Sequence, residues 1–361
     1  MLKYNVTIIG VGLIGGSLAL SLKDSPLINK IIGIDTNEEG LKKAVSSGII
    51  DTALNLKQGV SDADIIFICT PLSTYSTILN EIKDNLKTGV IVTDVGSTKQ
   101  KVMQLYQEIL SDEVIAIGGH PMAGSETGGL EGADKYLFEN AIYVLTPFNN
   151  TDEKYIDILK QVLSATGAKI KVLEPVQHDF TVAIISHVPH ITAAALVNLT
   201  KGNPNDLMLA AGGFRDTTRI ASSNIKIWED IIFTNKNQLI PALESLINIL
   251  TDYKEIIENN QLKGLSEYLT SAKTIRDSIP AIRKGLLPSF VDIICIVPDK
   301  PGIIGQVGLL LGNIGINIVD IEILRAREGD GGTMRIGVPT LKDAEEAIKK
   351  LSKENIKAWL K

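Results

Sequence analysis

His120 is the residue of this chain best placed for acid–base chemistry. It lies in GGHPMAGSETGG (residues 118–129), where the glycines and the proline exclude a helix interior and leave the backbone exposed. The apolar run VIAIGG (114–119) comes directly before it, so His120 would stand just past a strand, at the edge where open α/β sheets bind ligands. A neutral imidazole readily accepts a proton near pH 7. We therefore predict that His120 is a general base rather than a loop histidine without a function.

The N-terminal glycines predict a nucleotide site. Gly10, Gly12 and Gly15 have the G-x-G-x-x-G spacing directly between an apolar strand and an apolar helix, and Asp35 ends the next strand. In this pattern the glycines permit a tight turn, close approach of a diphosphate and close packing of helix on strand. A carboxylate at Asp35 would accept hydrogen bonds from ribose hydroxyls and repel a 2′-phosphate, which favours NAD over NADP. The predicted cofactor-binding residues are Gly10, Gly12, Leu13, Ile14, Gly15, Asp35, Thr70 and Pro71.

Two further motifs carry polar side chains beside predicted helices. In DVGSTK (94–99), Ser97 and Thr98 could cap the following helix, contact a substrate, or do both. In SHVPH, His187 and His190 are three residues apart and would share one face of a helix that the intervening proline kinks. No third nitrogen or sulfur ligand lies near this histidine pair, so no metal site is predicted.

GGFRDTTRIA (212–221) supplies two arginines to the same half of the chain. Arg215 and Arg219 flank Asp216, and each arginine taken alone could be an ordinary surface charge. An anionic substrate would instead need the planar, permanently charged group that arginine provides.

The chain around these residues divides into three regions. Residues 1–174 alternate short runs that are apolar on both faces with helix-length segments, which indicates a parallel, doubly wound Rossmann-type α/β sheet. Residues 175–282 have apolar positions every three or four residues and no strand-like run, which indicates an all-α domain that dimerises. Residues 289–361 follow a linker and have a βαββαβ order, an α+β ferredoxin-like arrangement with the turn EGDGG inside a hairpin. The apolar runs of the first region are VTIIG, IIGID, DIIFICT, VIVTDV, VIAIGG, AIYVLT and KIKVL.

Composition excludes several classes of function. The net charge is −6 with no basic patch, so no nucleic-acid partner is predicted. No apolar run approaches the ~20 residues that a bilayer crossing needs, and no charged-then-apolar leader precedes the first strand, so no membrane partner is predicted. Cys69 and Cys295 lie in apolar runs and are predicted to be buried, reduced thiols. These features predict a cytoplasmic protein.

Five motifs in this order resemble the prephenate dehydrogenase family of tyrosine biosynthesis. They are GVGLIGGSLAL, DVGSTK, GGHPMAGSE, SHVPH and GGFRDTTRIA, and the resemblance covers residues 1–280. It implies oxidative decarboxylation of prephenate by NAD⁺ to 4-hydroxyphenylpyruvate, CO₂ and NADH. Loss of hydride from ring carbon C4 creates a dienone from which the ring carboxylate leaves as CO₂, and aromatisation makes this step downhill. The protein then has to position C4 and polarise its hydroxyl.

The resemblance also implies roles for individual residues. His120 would accept the proton of the C4 hydroxyl, and Ser97 would contact that hydroxyl and help to orient His120. Arg219 would bind a substrate carboxylate, and Trp228 would form a wall of the pocket. The other implied substrate-binding residues are His187, His190, Ser125, Glu126, Arg215 and Asp216, the two acidic residues being placed at the entrance. Which of the two histidines reaches the substrate stays open.

The third region resembles an ACT domain, a module that binds amino acids as effectors. The resemblance implies that the exposed backbone of the turn DKPG receives an amino acid, with two further residues across the neighbouring strand. The implied effector-binding residues are Asp299, Pro301, Gly302, Asn317 and Ile318. Tyrosine, the end product, is the expected inhibitor, and a purely structural, dimerising role stays open.

Three alternatives remain beside this interpretation. The same chemistry on arogenate, which has an amine in place of the side-chain ketone, is not distinguished by any residue of the sequence. A 2-hydroxy-acid or phosphogluconate-type dehydrogenase would need a lysine–asparagine pair that the motifs do not show. A catalytically silent, NAD-dependent amino-acid sensor is disfavoured because His120, Ser97 and Arg219 are all present.

Overall fold

The computed structural model describes residues 3–124, 128–279, 290–298, 300–324 and 332–360. It divides into two compact units, residues 1–280 and residues 281–361, and each unit is described by itself. The predicted linker and the first four residues of the predicted turn EGDGG lie outside the described residues, as do Ser125, Glu126 and Asp299. The boundary predicted between residues 174 and 175 lies inside the first unit and stays a prediction.

The first unit is built on a sheet of eight strands. The strands are β1 (Tyr4–Ile9), β2 (Ile28–Ile34), β3 (Thr52–Ala53), β4 (Ile65–Ile68), β5 (Ile91–Asp94), β6 (Ile115–Pro121), β7 (Ile142–Pro147) and β8 (Lys169–Val172). Their order in the sheet is β3-β2-β1-β4-β5-β6-β7-β8, and every neighbouring pair is parallel except β6 and β7. A parallel return needs a crossover helix. The described residues between β6 and β7 contain only the short 3₁₀ turn Leu130–Gly132, so the prediction of a wholly parallel sheet is wrong at this pair.

Helices cover both faces of this sheet. They are α1 (Leu13–Leu22), α2 (Glu38–Ser46), α3 (Leu56–Val60), α4 (Tyr75–Ile82), α5 (Gln100–Ile109) and α6 (Glu153–Ser164). Consecutive residues of one strand point to opposite faces, and both faces are buried: Ile8 packs in one apolar cluster with Leu18, while Ile9 packs in another with Tyr75. This two-sided burial explains the near-continuous apolar runs. The predicted Rossmann-type domain is confirmed.

Helices alone form the remainder of the first unit. They are α7 (Pro175–Val182), α8 (Val188–Leu199), α9 (Pro204–Leu209), α10 (Gly212–Thr218), α11 (Ile225–Thr234), α12 (Lys236–Glu258) and α13 (Leu262–Ser278). A π-helical turn, Ala183–His187, joins α7 to α8 and ends two residues before Pro189. Because proline cannot donate to the helical ladder, the sequence relaxes here by widening the turn rather than by breaking the helix.

These helices expose large apolar side chains. Met208 is 78% exposed, Phe233 is 73% exposed and Leu262 is 80% exposed. Exposed apolar side chains of this kind are consistent with the predicted dimerisation through these helices.

One helix has the length and composition of a membrane span. Pro175–Leu199, continuous through the π turn, contains an 18-residue window with a mean hydropathy of 1.6, a longer apolar segment than the sequence predicted. It also carries three polar side chains that are fully or almost fully buried inside the unit, His178, Asp179 and His187. Core helices of proteins outside membranes have the same length and composition, so this helix is weak evidence for a membrane span.

The second unit has the predicted βαββαβ order. Its elements are β9 (Val291–Val297), α14 (Ile303–Gly312), β10 (Asp320–Leu324), β11 (Gly332–Val338), α15 (Leu341–Lys353) and β12 (Lys357–Leu360). The antiparallel sheet has the order β10-β11-β9-β12, and Ile293, Val307 and Ile336 form part of its core. The ferredoxin-like prediction is confirmed.

The predicted effector residues occupy two loops of the second unit. Gly302 has a left-handed backbone with φ of 85° and begins α14, directly after the exposed Pro301. Asn317 and Ile318 lie just before β10, and β10 pairs with β11 rather than with β9. The expectation that these two residues lie across a strand neighbouring the turn is therefore wrong in this respect, and the effector site itself stays a prediction.

Candidate active site

The three glycines of the loop between β1 and α1 have different surroundings. Gly10 has φ of 96°, and a Cβ there would lie 2.7 Å from the carbonyl oxygen of Cys69. A Cβ on Gly15 would lie 2.0 Å from the carbonyl oxygen of Gly10, so only glycine lets α1 pack this closely on β1. At Gly12, which precedes α1, a Cβ would meet nothing within 4 Å. The second glycine therefore faces open space at a helix N-terminus, where an anion is stabilised.

Asp35 lies beside this loop. Its carboxylate accepts a hydrogen bond of 2.8 Å from the backbone N–H of Val11 and one of 2.9 Å from that of Asn37. Thr70 and Pro71 follow β4, the strand next to β1, and the hydroxyl of Thr70 lies 2.8 Å from that of Thr74. The predicted cofactor residues therefore come together at the carboxyl ends of adjacent strands, and the open backbone at Gly12 fits a dinucleotide there.

His120 lies within β6 rather than after it. It is 9% exposed and pairs with Val144 of β7. The two preceding glycines are explained by packing, since a Cβ on Gly118 would lie 2.3 Å from Thr146 Oγ1 and one on Gly119 would lie 2.3 Å from the Asp94 carbonyl oxygen. The expectation of an exposed loop backbone is therefore wrong for residues 118–121, which form a buried strand end where the two glycines have no room for side chains, while Gly124, Gly128 and Gly129 are exposed outside any strand.

A buried ion pair fixes the strand just before His120. Asp94 and Lys99 are both completely buried, and the Lys99 ammonium donates to the Asp94 carboxylate and, at 2.5 Å, to the carbonyl oxygen of Gly119. Asp94 in turn accepts from the backbone N–H of Gly119 at 3.0 Å and of Gly96 at 2.8 Å. Burial lowers the pKa of Lys99, and the neighbouring Asp94 opposes that shift. The carbonyl oxygen and the N–H of Gly119 are therefore both hydrogen-bonded, which fixes the backbone position of the next residue, His120.

The His120 ring contacts a second imidazole from the helical part of the unit. His120 Nδ1 lies 2.8 Å from His178 Nε2, and His178 Nδ1 lies 2.8 Å from a carboxylate oxygen of Asp179. His178 is 1% exposed and Asp179 is 0% exposed. Burial lowers the pKa of His120 well below its ordinary value, and the charges of His178 and Lys99 lower it further. His120 is therefore a neutral, proton-accepting imidazole at physiological pH.

Asp179 also caps helix α5 of the sheet domain. Its two carboxylate oxygens accept from the backbone N–H of Lys99 at 2.7 Å and of Gln100 at 2.8 Å. Of the alternatives left open for Ser97 and Thr98, capping of α5 is not observed, because a carboxylate from α7 occupies that role. Ser97 is half-buried in the loop leading into α5, while the Thr98 hydroxyl lies 2.9 Å from that of Thr234.

The remaining two histidines belong to the same network. Asn235 Nδ2 donates to the Asp179 carbonyl oxygen at 2.8 Å and to His187 Nδ1 at 3.1 Å. His190 stacks on Trp228 with ring centroids 3.5 Å apart, and His187 meets the same indole edge-on. Burial lowers the pKa of His187 to about 4 and also lowers that of His190. All four histidines of the chain therefore lie in one connected cluster.

The predicted arginines lie on an exposed segment next to this cluster. Arg215 and Asp216 are exposed on α10, and Arg219 is exposed at the start of the 3₁₀ turn that follows it. Both α10 and this turn pack against α8, the helix that carries His190. Arg219 is thus brought to the histidine side of the unit, while the predicted Ser125 and Glu126 lie outside the described residues.

Helix α11 ties the histidine cluster to the cofactor side. Trp228 stacks on His190, and Asp230, on the same helix, accepts from the backbone N–H and the hydroxyl of Ser73 at 3.0 and 2.7 Å. Ser73 follows Thr70 and Pro71 in the loop after β4. One helix therefore bridges the loop predicted to hold the cofactor and the cluster predicted to hold the substrate.

Sequence reasoning missed six residues of this network: Asp94, Lys99, His178, Asp179, Asp230 and Asn235. Asp94 and Lys99 are the first and last residues of the motif DVGSTK. Two opposite charges at the two ends of a junction between an apolar strand and a helix could have indicated a buried ion pair. The dipeptide His178-Asp179 lies in the middle of α7, next to an apolar helical run, which was a weaker signal. Nothing local marks Asp230 or Asn235.

Comparisons with known proteins agree with this geometry. Residues 18–172 match the family model of the prephenate dehydrogenase nucleotide-binding domain, and residues 174–271 match that of the prephenate dehydrogenase dimerization domain. Prephenate dehydrogenase of Bacillus subtilis is 38% identical over 352 residues, which are 96% of this chain and 95% of that protein.

Two solved structures are similar to this chain at comparable levels. Prephenate dehydrogenase of A. aeolicus, in complex with hydroxyphenyl propionate and NAD⁺, has a TM-score of 0.72 and 35% identity over 77% of this chain and 99% of that one. Arogenate dehydrogenase of Synechocystis has a TM-score of 0.68 and 34% identity over 76% of this chain and 99% of that one. Overall similarity therefore does not separate the two substrates.

The two family models together match most of the chain. The predictions of NAD as cofactor and of a prephenate dehydrogenase function are confirmed, and the match to a dimerization domain supports the predicted homodimer acting on a small molecule. The chain belongs to the prephenate dehydrogenase family.

Proposed function

We propose that His120 is the general base of an NAD⁺-dependent oxidative decarboxylation of prephenate. Bound NAD⁺ supplies the acceptor for the hydride that leaves C4. His120 takes the proton of the C4 hydroxyl as C4 becomes a carbonyl carbon. The C–C bond to the ring carboxylate then breaks, CO₂ leaves, and its electron pair completes the aromatic ring. The proton held by His120 returns to the phenolate oxygen, so 4-hydroxyphenylpyruvate forms with no net release of protons.

The observation that carries this proposal is the state of the His120 ring. It is buried at the carboxyl end of the sheet, its Nδ1 lies 2.8 Å from His178, and burial holds its pKa well below the ordinary value. A base that is already neutral at pH 7 is ready to take a proton without a prior deprotonation. Ser97, half-buried at the neighbouring strand end, would hydrogen-bond the same substrate hydroxyl.

The substrate is a dianion, and the protein as a whole is negative, so its cations must act locally. Arg219 would bind a carboxylate of the substrate, because its turn packs on the helix of His190. His187 and His190 would line the ring, beside the Trp228 indole. Ser125, Glu126, Arg215 and Asp216 keep the roles that the family resemblance implies.

Three finer assignments complete the proposal. The second unit would bind an amino acid at the turn before α14, where Gly302 leaves backbone groups accessible, and tyrosine would inhibit through it. The dimer would form through the exposed apolar side chains of the helical part. The protein would act in the cytoplasm.

The test is steady-state kinetics with prephenate and arogenate, each with NAD⁺ and NADP⁺, with and without tyrosine. His120→Asn should bind NAD⁺ normally and lower kcat by roughly 10²–10⁴, the usual contribution of a positioned acid–base group. Arg219→Ala should chiefly raise KM, with kcat affected less. Retained turnover in His120→Asn would refute the base, and preference for arogenate would change the substrate without changing the base.

A truncation tests the effector assignment. A chain ending at about residue 288 should keep its activity and lose the response to tyrosine. Inhibition that persists in the truncated chain would place tyrosine at the active site instead.

A further inference from the structure

We infer that His178 and Asp179 are positioning residues that decide which nitrogen of His120 carries the proton and that share the charge His120 acquires. Neither residue belongs to the set predicted from the sequence, and neither is placed against the substrate. The inference rests on the proposed role of His120 as the base.

The first step concerns Asp179. Its carboxylate accepts from two backbone N–H groups, those of Lys99 and Gln100, and lies 2.8 Å from His178 Nδ1. A backbone N–H can only donate, so both carboxylate oxygens act as acceptors, which is the behaviour of the ionised form. The N-terminus of α5 stabilises that negative charge. His178 therefore carries its proton on Nδ1 and donates it to Asp179.

The second step follows from the first. With its proton on Nδ1, neutral His178 presents a lone pair at Nε2, and this nitrogen lies 2.8 Å from His120 Nδ1. The contact is a hydrogen bond only if His120 Nδ1 carries the proton. Because neutral His120 has only one ring proton, its Nε2 is then unprotonated, and Nε2 is the nitrogen that can accept the proton of the substrate.

The third step concerns the charged state. When His120 takes a proton, its imidazolium donates to His178, whose other nitrogen faces the carboxylate of Asp179. Hydrogen bonds to a charged partner are stronger than neutral ones, so these contacts offset part of the penalty that burial places on the charged His120 ring formed during the reaction. All three groups are at most 9% exposed, so water does not compete for these bonds.

Asp179 also fixes the loop that holds Ser97. Its bonds to Lys99 and Gln100 lie at the start of α5, two and three residues after Ser97. The same carboxylate therefore orients both groups that the proposed function places on the C4 hydroxyl.

The first test reads the tautomers directly in the unmodified enzyme. Only four histidines occur in the chain, so ¹⁵N-labelled histidine gives a spectrum that four substitutions can assign. Protonated and bare ring nitrogens have distinct ¹⁵N shifts. At neutral pH, both His120 and His178 should be protonated at Nδ1. A spectrum with His120 protonated at Nε2 would overturn the inference without use of any variant.

The second test is kinetic. In His178→Gln a side-chain amide replaces the imidazole and cannot share a positive charge, so kcat should fall about 10- to 100-fold while the KM values for prephenate and NAD⁺ stay within about twofold. Gln177→Ala, an exposed neighbour on the same helix, is the matched control and should behave like the parent enzyme. An unchanged kcat in His178→Gln would overturn the inference.

A double-mutant cycle separates this inference from the proposed function. If His178 acts through His120, then His178→Gln should cost less than about twofold in kcat in the His120→Asn background. A full additional loss in that background would show that His178 acts independently, and the inference would fail while the base assignment stands. If His120→Asn alone keeps full turnover, the proposed function fails first, and the inference fails with it.

Discussion

The glycine loop offers a pair of matched substitutions whose effects should separate folding from cofactor binding. In Gly15→Ala the new methyl group would lie 2.0 Å from the Gly10 carbonyl oxygen and 2.9 Å from Ile8 Cγ2, so α1 must move away from β1. Overpacking of this kind costs about 1–3 kcal/mol, and here the obstacle is backbone, which cannot swing aside. In Gly12→Ala the methyl group meets nothing within 4 Å, and the backbone, with φ of −95° and ψ of −149°, lies at the border of the extended region rather than at a positive φ. Its unfolding free energy should change by less than about 1 kcal/mol.

The two substitutions should affect NAD⁺ binding differently from stability. The methyl group of Gly12→Ala occupies the open space at the start of α1 that is predicted to receive the diphosphate, so the Kd for NAD⁺ should rise about 10- to 100-fold in a protein of normal stability. Gly15→Ala should weaken binding together with stability. Urea denaturation and titration calorimetry with NAD⁺ measure the two quantities on the same samples. Normal NAD⁺ affinity in Gly12→Ala would refute the assignment of this loop as the diphosphate site.

Three further predictions address buried charge, pH and cofactor choice. Lys99→Met leaves the fully buried Asp94 carboxylate without its ion pair, so the unfolding free energy in urea should fall by about 3–5 kcal/mol, and an unchanged value would contradict the pairing. The pKa values of His120 and His187 are lowered, the latter to about 4, so below pH ~6.5 only the unfolded chain takes up these protons. The unfolding free energy should therefore decrease as the pH is lowered below about 6.5, by up to about 2.7 kcal/mol per pH unit from the two histidines together. Equal unfolding free energies at pH 6.5 and 5 would contradict this. Asp35→Ser removes the carboxylate at the ribose position, and the ratio of kcat/KM for NAD⁺ over NADP⁺ should drop at least about tenfold.

The cofactor loop was predictable because its physics is local. A positive φ at Gly10 and close packing at Gly15 are requirements of one turn and one helix, and they fix residue types at fixed spacing. The acidic residue at the end of the next strand follows from the parallel pairing of β1 with β2. Position along the chain was therefore enough to place Asp35 beside the glycines.

The proton network was not predictable in this way. His120 and His178 are 58 residues apart in the chain and meet only because α7 packs across the start of α5. The capping group of α5 was expected from the adjacent Ser97 or Thr98 and comes instead from Asp179, 79 residues beyond Gln100. A local pattern can state that a helix needs a cap, but it cannot state that another helix supplies it.

The glycines before His120 show the same limit. Their composition suggested a loop, whereas the crowding by Thr146 and the Asp94 backbone makes them part of a buried strand. A glycine in a sequence indicates either that there is no space for a side chain or that the backbone has an unusual angle. Only the residues packed around it in the fold decide which of the two applies.

The placement of Asp179 gives the helical part of the unit a role beyond dimerisation. Hydride acceptance depends on the glycine loop, which belongs to the sheet domain alone. In the proposed mechanism proton acceptance depends on His120 of the sheet domain, but the groups inferred to set its tautomer lie on α7, and the same α7 carboxylate caps the start of α5 next to Ser97. A displacement of α7 by one hydrogen-bond length would therefore leave the cofactor site intact while it released both His120 and the Ser97 loop. If His120 is the base, as proposed, acid–base chemistry belongs to the junction between the sheet and the helices, and substitutions at that junction should lower kcat more than they weaken NAD⁺ binding.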